Sequence, residues 1–389
     1  MIQSTVLLLG MWRAILSLPD SELPFNFEIK RVNDTTFVEI INGDERLKVT
    51  DITIEGDSIF MIMPVFGTEI RAKSVNGLMQ GNFINYTRKV THIPFTARVN
   101  EAYRFKTNNS ILPDNAEGRY AVKFSPGLKD SSDAVGIFYR NGNKATGTFL
   151  TETGDYRFLE GVVDGDSLKL SCFDGVHLFL FLAKYYDDKL SGVFYSGNHW
   201  KENWTAVKNK NAELPDLDQL TVLKPGFKTI DFALPDLNNK TVKLSDAAFK
   251  NKVCVIQIMG SWCPNCMDES AFLSSFYERY KNRNFEVIGI AFEKYADMEK
   301  AKPAIERVKN HFNIQYPLLF AGTASKENVM KALPALANFK GYPTSIIIDK
   351  KGVVRQIHTG FTGPATGNYY ERYKEEFEGL INKLLSESR

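Results

Sequence analysis

The sequence predicts a multidomain protein in which an all-β tandem meander, barrel-like in character, is followed by an α/β domain with a mixed central sheet. Three observations carry this. The first two hundred residues read as short alternating segments separated by Gly, Asn and Asp, without helical periodicity. The same series of turns then runs a second time within that stretch. Beyond about residue 225, apolar β-branched runs alternate with stretches of helical spacing. The boundaries are therefore set at 1–207 for the β region (repeats at about 10–100 and 118–207), 208–224 for a polar, proline-containing linker and 225–389 for the α/β domain. A length of 389 residues exceeds one ordinary domain of about 150. A 43% hydrophobic and 24% charged composition provides for real cores. A net charge of +2 with dispersed basic residues argues against a nucleic-acid partner.

In the β region the expected strands are Trp12–Leu18, Phe25–Val32, Thr36–Ile41, Arg46–Ile54, Ser58–Met63, Glu69–Ser74, Met79–Asn85 and Pro94–Val99. The repeat rests on matched positions. Gly10 and Trp12 answer to Gly118 and Tyr120, Gly43 to Gly154, Gly56 to Gly165, Gly81 to Gly192, and Thr96 to Thr205, every pair offset by 108 to 111 residues. About eight strands per unit allow two small barrels or one larger one, and closure would remove exposed edges. In the run Leu178–Leu182 both faces are bulky, with leucines on one and Phe179 and Phe181 on the other. An interior filled by such side chains is the default, and a small-ligand pocket is the alternative. His92, His177 and His199 have no His or Cys at ligand spacing, so structural roles are expected and no metal is assigned. Thr5–Leu9 is apolar but short and lacks a basic flank; it reads as part of a signal segment or of the first strand.

In the α/β domain, Ile230–Ala233 and Lys240–Leu244 form an expected hairpin. Val253–Met259, a helix from Pro264 to Lys281, and Phe285–Ala291 make a β-α-β unit with a right-handed crossover. A helical stretch at Ala296–Asn313, a short strand Pro317–Phe320 and a helix Glu327–Phe339 bent at Pro334 come next. The strands Thr344–Asp349 and Val353–Thr359 pair antiparallel, and the helix Tyr369–Leu385 closes the domain.

Two of only four cysteines, Cys263 and Cys266, stand where the first buried strand turns into the helix, as W-C-P-N-C. Unpaired N–H groups and the helix dipole favour a thiolate there. Cys263, at the helix start and expected to be exposed, is the candidate nucleophile; Cys266, in the first turn, is the resolving thiol. Zinc binding lacks further ligands, since Cys172 and Cys254 stand apart and read as small core residues. Haem attachment would need His at position 267, which is Met, and a peroxiredoxin would need Pro and Thr or Ser where Ile256 and Gly260 stand. Glu269 lies one helical turn beyond Cys266 on the same face, so its carboxyl is expected to point back toward the pair. The competing reading is a solvated helix glutamate. Asp268 is expected to be solvated.

Together with the segment PGFKTIDFALPDLNNKTVKLSD and Gly341-Tyr342-Pro343-Thr344 before SIIIDKKG, this box resembles the TlpA and ResA type of thioredoxin-like thiol-disulfide oxidoreductases, within the AhpC/TSA-thioredoxin superfamily. The resemblance covers residues from about Leu223 onward. It implies a thioredoxin-like fold, a redox-active Cys263–Cys266 disulfide, a buried glutamate at Glu269 and a cis proline at Pro343 beside the pair. It further implies substrate contacts at Trp262, Tyr342, Pro343 and Thr344. No cofactor is called for. The expected partners are a disulfide-containing protein substrate and a thiol electron donor, with a membrane-associated redox partner left open, and an extracytoplasmic location is implied. The implied function is reduction of protein disulfides; the alternative is a ligand- or partner-binding barrel with the thioredoxin-like module as a redox switch or delivery domain.

Overall fold

The computed structural model describes residues 8–86, 90–108 and 117–388. Most of the apolar opening Thr5–Leu9 lies outside them. The chain forms two compact units, one of Met1–Leu150 with Tyr156–Glu213, the other of Thr151–Asp155 with Leu214–Arg389. The short segment Thr151–Asp155 thus packs with the second unit, which a linear division at residue 207 does not anticipate. Its Asp155 carboxylate accepts from the Gly363 N–H at 2.9 Å.

The first unit begins with nine strands, β1–β9: Gly10–Ser17, Glu22–Val32, Thr35–Asn42, Glu45–Val49, Asp51–Glu55, Ser58–Ile62, Thr68–Val75, Leu78–Asn85 and Thr91–Val99. They pair in the order β4-β3-β2-β1-β9-β8-β7-β6-β5, a meander folded back so that β1 meets β9. Eight further strands, β10–β17, are Gly118–Phe124, Ser132–Asn141, Lys144–Thr151, Leu159–Asp164, Ser167–Phe173, Leu178–Tyr186, Lys189–Ser196 and Trp200–Lys208. They repeat the pattern, β10 meeting both β11 and β17, and here the ring closes because β12 pairs with both β11 and β13.

Matched glycines mark places where neighbouring strands come close. A Cβ on Gly81 would stand 1.9 Å from the Arg71 carbonyl oxygen, and one on Gly192 2.0 Å from that of Leu182. Their cross-strand partners, Ala72 and Ala183, are small as well. The two faces of β15 separate two cores. Leu178 and Leu180 join Trp12, Phe25, Phe83 and Phe173 in the core of the first sheet. Phe179 and Phe181 turn into the ring, where Phe181 stacks at 4.4 Å on both Phe149 and Phe194, with Trp204 edge-on to Phe149 at 5.2 Å. Aromatic side chains therefore fill the ring. Fully buried Arg104 fastens the sheets together, donating to the backbone oxygens of Ser171 and Ile41. His177 pairs with Asp174 at 2.8 Å; burial opposes that carboxylate's charge, but His177 and Arg157 outweigh it and hold the group well below its ordinary range.

The second unit opens with the hairpin β18–β19, Ala233–Pro235 and Thr241–Lys243. Its central sheet comprises β20 (Val253–Met259), β21 (Phe285–Glu293), β22 (Leu318–Thr323), β23 (Thr344–Ile348) and β24 (Val354–Thr359), in the order β22-β21-β20-β23-β24. The β20–β22 ladder is parallel, while β23 and β24 run antiparallel, which makes the sheet mixed. Its helices are α1 (Pro264–Tyr280), α2 (Met298–His311), α3 (Lys326–Ala332) and α4 (Asn368–Ser386). The expected bend at Pro334 is replaced by an end. Helix α3 stops at Ala332 because the residue before a proline is driven out of the helical region. No helix among the described residues is long and apolar enough to cross a membrane.

Candidate functional site

Strand β20 is buried along its whole length, and the chain leaves its end through Gly260-Ser261-Trp262 to start α1. Cys263 is the N-cap of α1, its sulfur accepting from the Cys266 N–H at 3.3 Å, and Pro264 occupies the first turn, where no N–H is needed. Cys263 and Cys266 are joined as a disulfide with a Cα–Cα distance of 5.2 Å. Cys266 is 0% exposed and Cys263 only 6%, so Cys263 is the more accessible sulfur but not the exposed one that its place at the helix start suggested. Trp262, its neighbour in the chain, is held by its Nε1–H on the Phe292 carbonyl at 2.9 Å and stands edge-on to Tyr342 at 5.3 Å, a packing that the local sequence does not encode.

Glu269 is fully buried, and Gln257 Nε2 ties it to the first turn of α1 by also donating to the Cys266 carbonyl at 3.3 Å. One carboxylate oxygen accepts from Gln257 Nε2 at 2.9 Å and the other from the Ser345 hydroxyl. Burial pushes its pKa up to about 7, against the opposing pull of Ser345, Gln257 and His358. Asp268 is half-buried rather than solvated, and the Gly363 backbone lies so near its Oδ2 that a Cβ there would stand 3.0 Å away. Asn265, between the cysteines, donates to the Thr153 carbonyl at 3.4 Å.

The Tyr342–Pro343 peptide is cis. Tyr342 is half-buried, packed on Phe292 and Phe339. Thr344 is fully buried and its hydroxyl donates to the Gly341 carbonyl at 2.7 Å, so its side chain holds the turn instead of reaching outward as a substrate contact would. Pro343 is buried too.

Two groups escaped the sequence reading. Glu293, 3% exposed at the end of β21, takes both the N–H and the O–H of Ser261 at 2.8 and 2.6 Å and so pins the segment that leads into Cys263. Burial raises its pKa more than Ser261 lowers it. His358, on β24, acts electrostatically on Glu269. Neither is near the cysteines in sequence, and only the pairing of strands brings them in. Among the described residues no cluster of His, Cys, Asp and Glu could hold a metal ion.

The AhpC/TSA family profile matches residues 225–357. The thiol-disulfide oxidoreductase ResA of Geobacillus kaustophilus is 27% identical over 158 residues, 41% of this chain and 80% of that protein. The thioredoxin-like protein YneN of Bacillus subtilis is 24% identical over 138 residues, 36% of this chain and 73% of its own length. A thioredoxin-family thiol:disulfide interchange protein from Chlorobium tepidum, of known structure, shares 19% identity over 42% of this chain and all of its own, with a TM-score of 0.32.

Proposed function

From a chain whose residues 225–357 form an AhpC/TSA-family domain of the thiol-disulfide oxidoreductase kind, we propose that it reduces disulfides in protein substrates through Cys263 and Cys266. The observation that carries this reading is a disulfide at a helix N-terminus with a buried carboxylate, Glu269, one helical turn beyond Cys266 and sharing the Gln257 amide with the Cys266 carbonyl. In the reduced state the helix dipole favours the Cys263 thiolate, which attacks a substrate disulfide and leaves a mixed disulfide. Cys266 then displaces the substrate sulfur, and Glu269 takes the Cys266 proton. A carboxyl whose pKa stands near 7 is suited to that exchange at neutral pH. Trp262 and Tyr342 form the apolar lip against which a substrate segment rests. An extracytoplasmic location and recharging by a separate thiol donor belong to the same reading. The alternative, a barrel that captures a ligand, finds less support, because aromatic rings fill the closed ring of the first unit.

The test is covalent trapping. Cys266→Ser lacks the resolving thiol, so the full chain expressed in its native compartment should accumulate reducible adducts with other proteins, and adding Cys263→Ser should abolish them. Adducts that survive the double change, or that map to Cys172 or Cys254, would overturn the assignment.

A further inference from the structure

Glu269 is wholly buried, so a proton that it takes from Cys266 has to leave through protein groups. Its surroundings are few. From β20 comes the Gln257 amide, from β23 the Ser345 hydroxyl, and from its own helix Ser270, which bonds to Gln257. Its charge acts in turn on Tyr316 and Tyr373, whose phenols burial keeps protonated. From β24 comes His358, and behind it Asp218 of the short helix Leu217–Gln219.

Ser345 is the link. It donates to Glu269 and stands directly opposite His358 in the β23–β24 ladder, which puts both side chains on one face of the sheet. His358 Nδ1 lies 2.7 Å from Asp218 Oδ1. Burial works against the charge of Asp218, but hydrogen bonds from His358 and Gln356 outweigh it and hold the carboxyl below its ordinary range. An ionised carboxylate only accepts, so it fixes the hydrogen on Nδ1 and leaves the lone pair on Nε2. That Nε2 is buried and has no hydrogen-bond partner among the described residues. A structural histidine fastening the Leu217–Gln219 helix to the sheet would need only the Nδ1 bond. The unmet Nε2 is an acceptor held ready on the face that Glu269 occupies.

We propose that His358, oriented by Asp218, is a positioning residue that shares one proton with Glu269 through Ser345 during disulfide exchange. The inference rests on the proposed function. In the resolving step the Cys266 S–H bond breaks and its proton goes to Glu269. The Cys266–Cys263 bond forms as the bond from Cys263 to the substrate sulfur breaks, and the electron pair leaves with that sulfur, which takes a proton from solvent. The dithiol is oxidised and the substrate disulfide reduced. Once Glu269 is protonated, the Ser345 hydroxyl turns from it toward the unmet His358 Nε2 and gives up its own proton there as it takes the one from Glu269, leaving an imidazolium beside the Asp218 carboxylate, whose side chain is 33% exposed and hands a proton to water. Glu269 is a carboxylate again.

The test is stopped-flow reaction of the reduced full chain with 4,4′-dithiodipyridine, which reports attack by Cys263 and resolution by Cys266 as two successive releases of pyridine thione. His358→Gln should move the pH profile of the second phase upward by about one unit, so that resolution at pH 7 slows roughly tenfold while that at pH 9 is unchanged. The first phase should stay as in the wild type. Asp218→Asn should shift the profile in the same direction by less, which keeps the test open if His358→Gln fails to fold. An unshifted profile, an equal slowing of both phases at every pH, or a shift produced by Tyr373→Phe and not by His358→Gln would overturn the proposal. If Glu269→Gln slows resolution and His358→Gln does not, the dyad alone falls. If neither slows it while Cys266→Ser still traps adducts, the base role of Glu269 falls with it.

Discussion

At the scale of single residues, the site is governed by two buried carboxylates with different tasks. On the proposed mechanism the Glu269 carboxylate is a like charge near the thiolate, so Glu269→Gln should lower the apparent pKa of the reactive thiol in pH-dependent alkylation of the reduced protein. An unchanged titration curve would mean that the carboxylate does not act on the sulfur. The same group links stability to pH. Its folded pKa, about 7, stands above the unfolded value, so the folded state holds the proton more tightly. Its contribution is greatest below about pH 4.5 and is lost as pH rises through 7, an effect on the order of a few kcal/mol. Denaturation of oxidised wild type and Glu269→Gln at pH 4.5 and pH 8 should therefore show the variant gaining on the wild type at the higher pH. Glu293 has a mechanical task. Glu293→Ala leaves the buried Ser261 N–H without its acceptor and should cost about 1–3 kcal/mol in chemical denaturation.

Among the elements, the strands of the first unit are organised by close approach. Gly81 and Gly192 occupy matching places, each facing an alanine and each within 2.0 Å, counted from a built Cβ, of a neighbouring carbonyl. Backbone cannot yield as a flexible side chain does, so Gly81→Ala and Gly192→Ala should each destabilise the first unit, by about 1–3 kcal/mol. Similar losses of thermal stability in the two variants would reflect a common geometry, and a neutral result at either position would show that its strand pair can open. In the second unit the decisive element is the turn from β20 into α1. Its N-cap is Cys263, the proposed nucleophile, so helix start and proposed chemistry are the same feature.

For the molecule as a whole, the four cysteines divide by location. Burial pushes the Cys254 thiol up to about 12 and holds the Cys172 thiol well above its ordinary value, each inside the core of its own unit. In the native reduced protein, iodoacetamide should therefore modify Cys263 first, and Cys172 and Cys254 only after denaturant is added, as peptide mass mapping would read. Early labelling of Cys172 would mean that the closed ring opens in solution.

Composition, turn spacing and alternation were enough to read an all-β region followed by an α/β domain, because period-2 and period-3.6 patterns are local properties of the chain. The C-x-x-C box was legible for the same reason, since cap, proline and cysteines lie within four residues. Closure of the second sheet depends on β12 pairing on both sides, and no local pattern specifies a partner. The leucine and phenylalanine faces of β15 were visible in sequence, but which face filled the ring was decided by the sheet that packed against the other. Helix α3 ended at a proline that was read as a bend, because the preference of the preceding residue prevailed. The accessibility of Cys263, the inward turn of Thr344 and the convergence of Glu293, Ser345, His358 and Asp218 on the site belong to tertiary structure alone. These groups come from elements far apart in the chain, and only the folded sheet with the elements packed on it brings Ser345 and His358 into range of Glu269, Asp218 into range of His358, and Glu293 into range of Ser261.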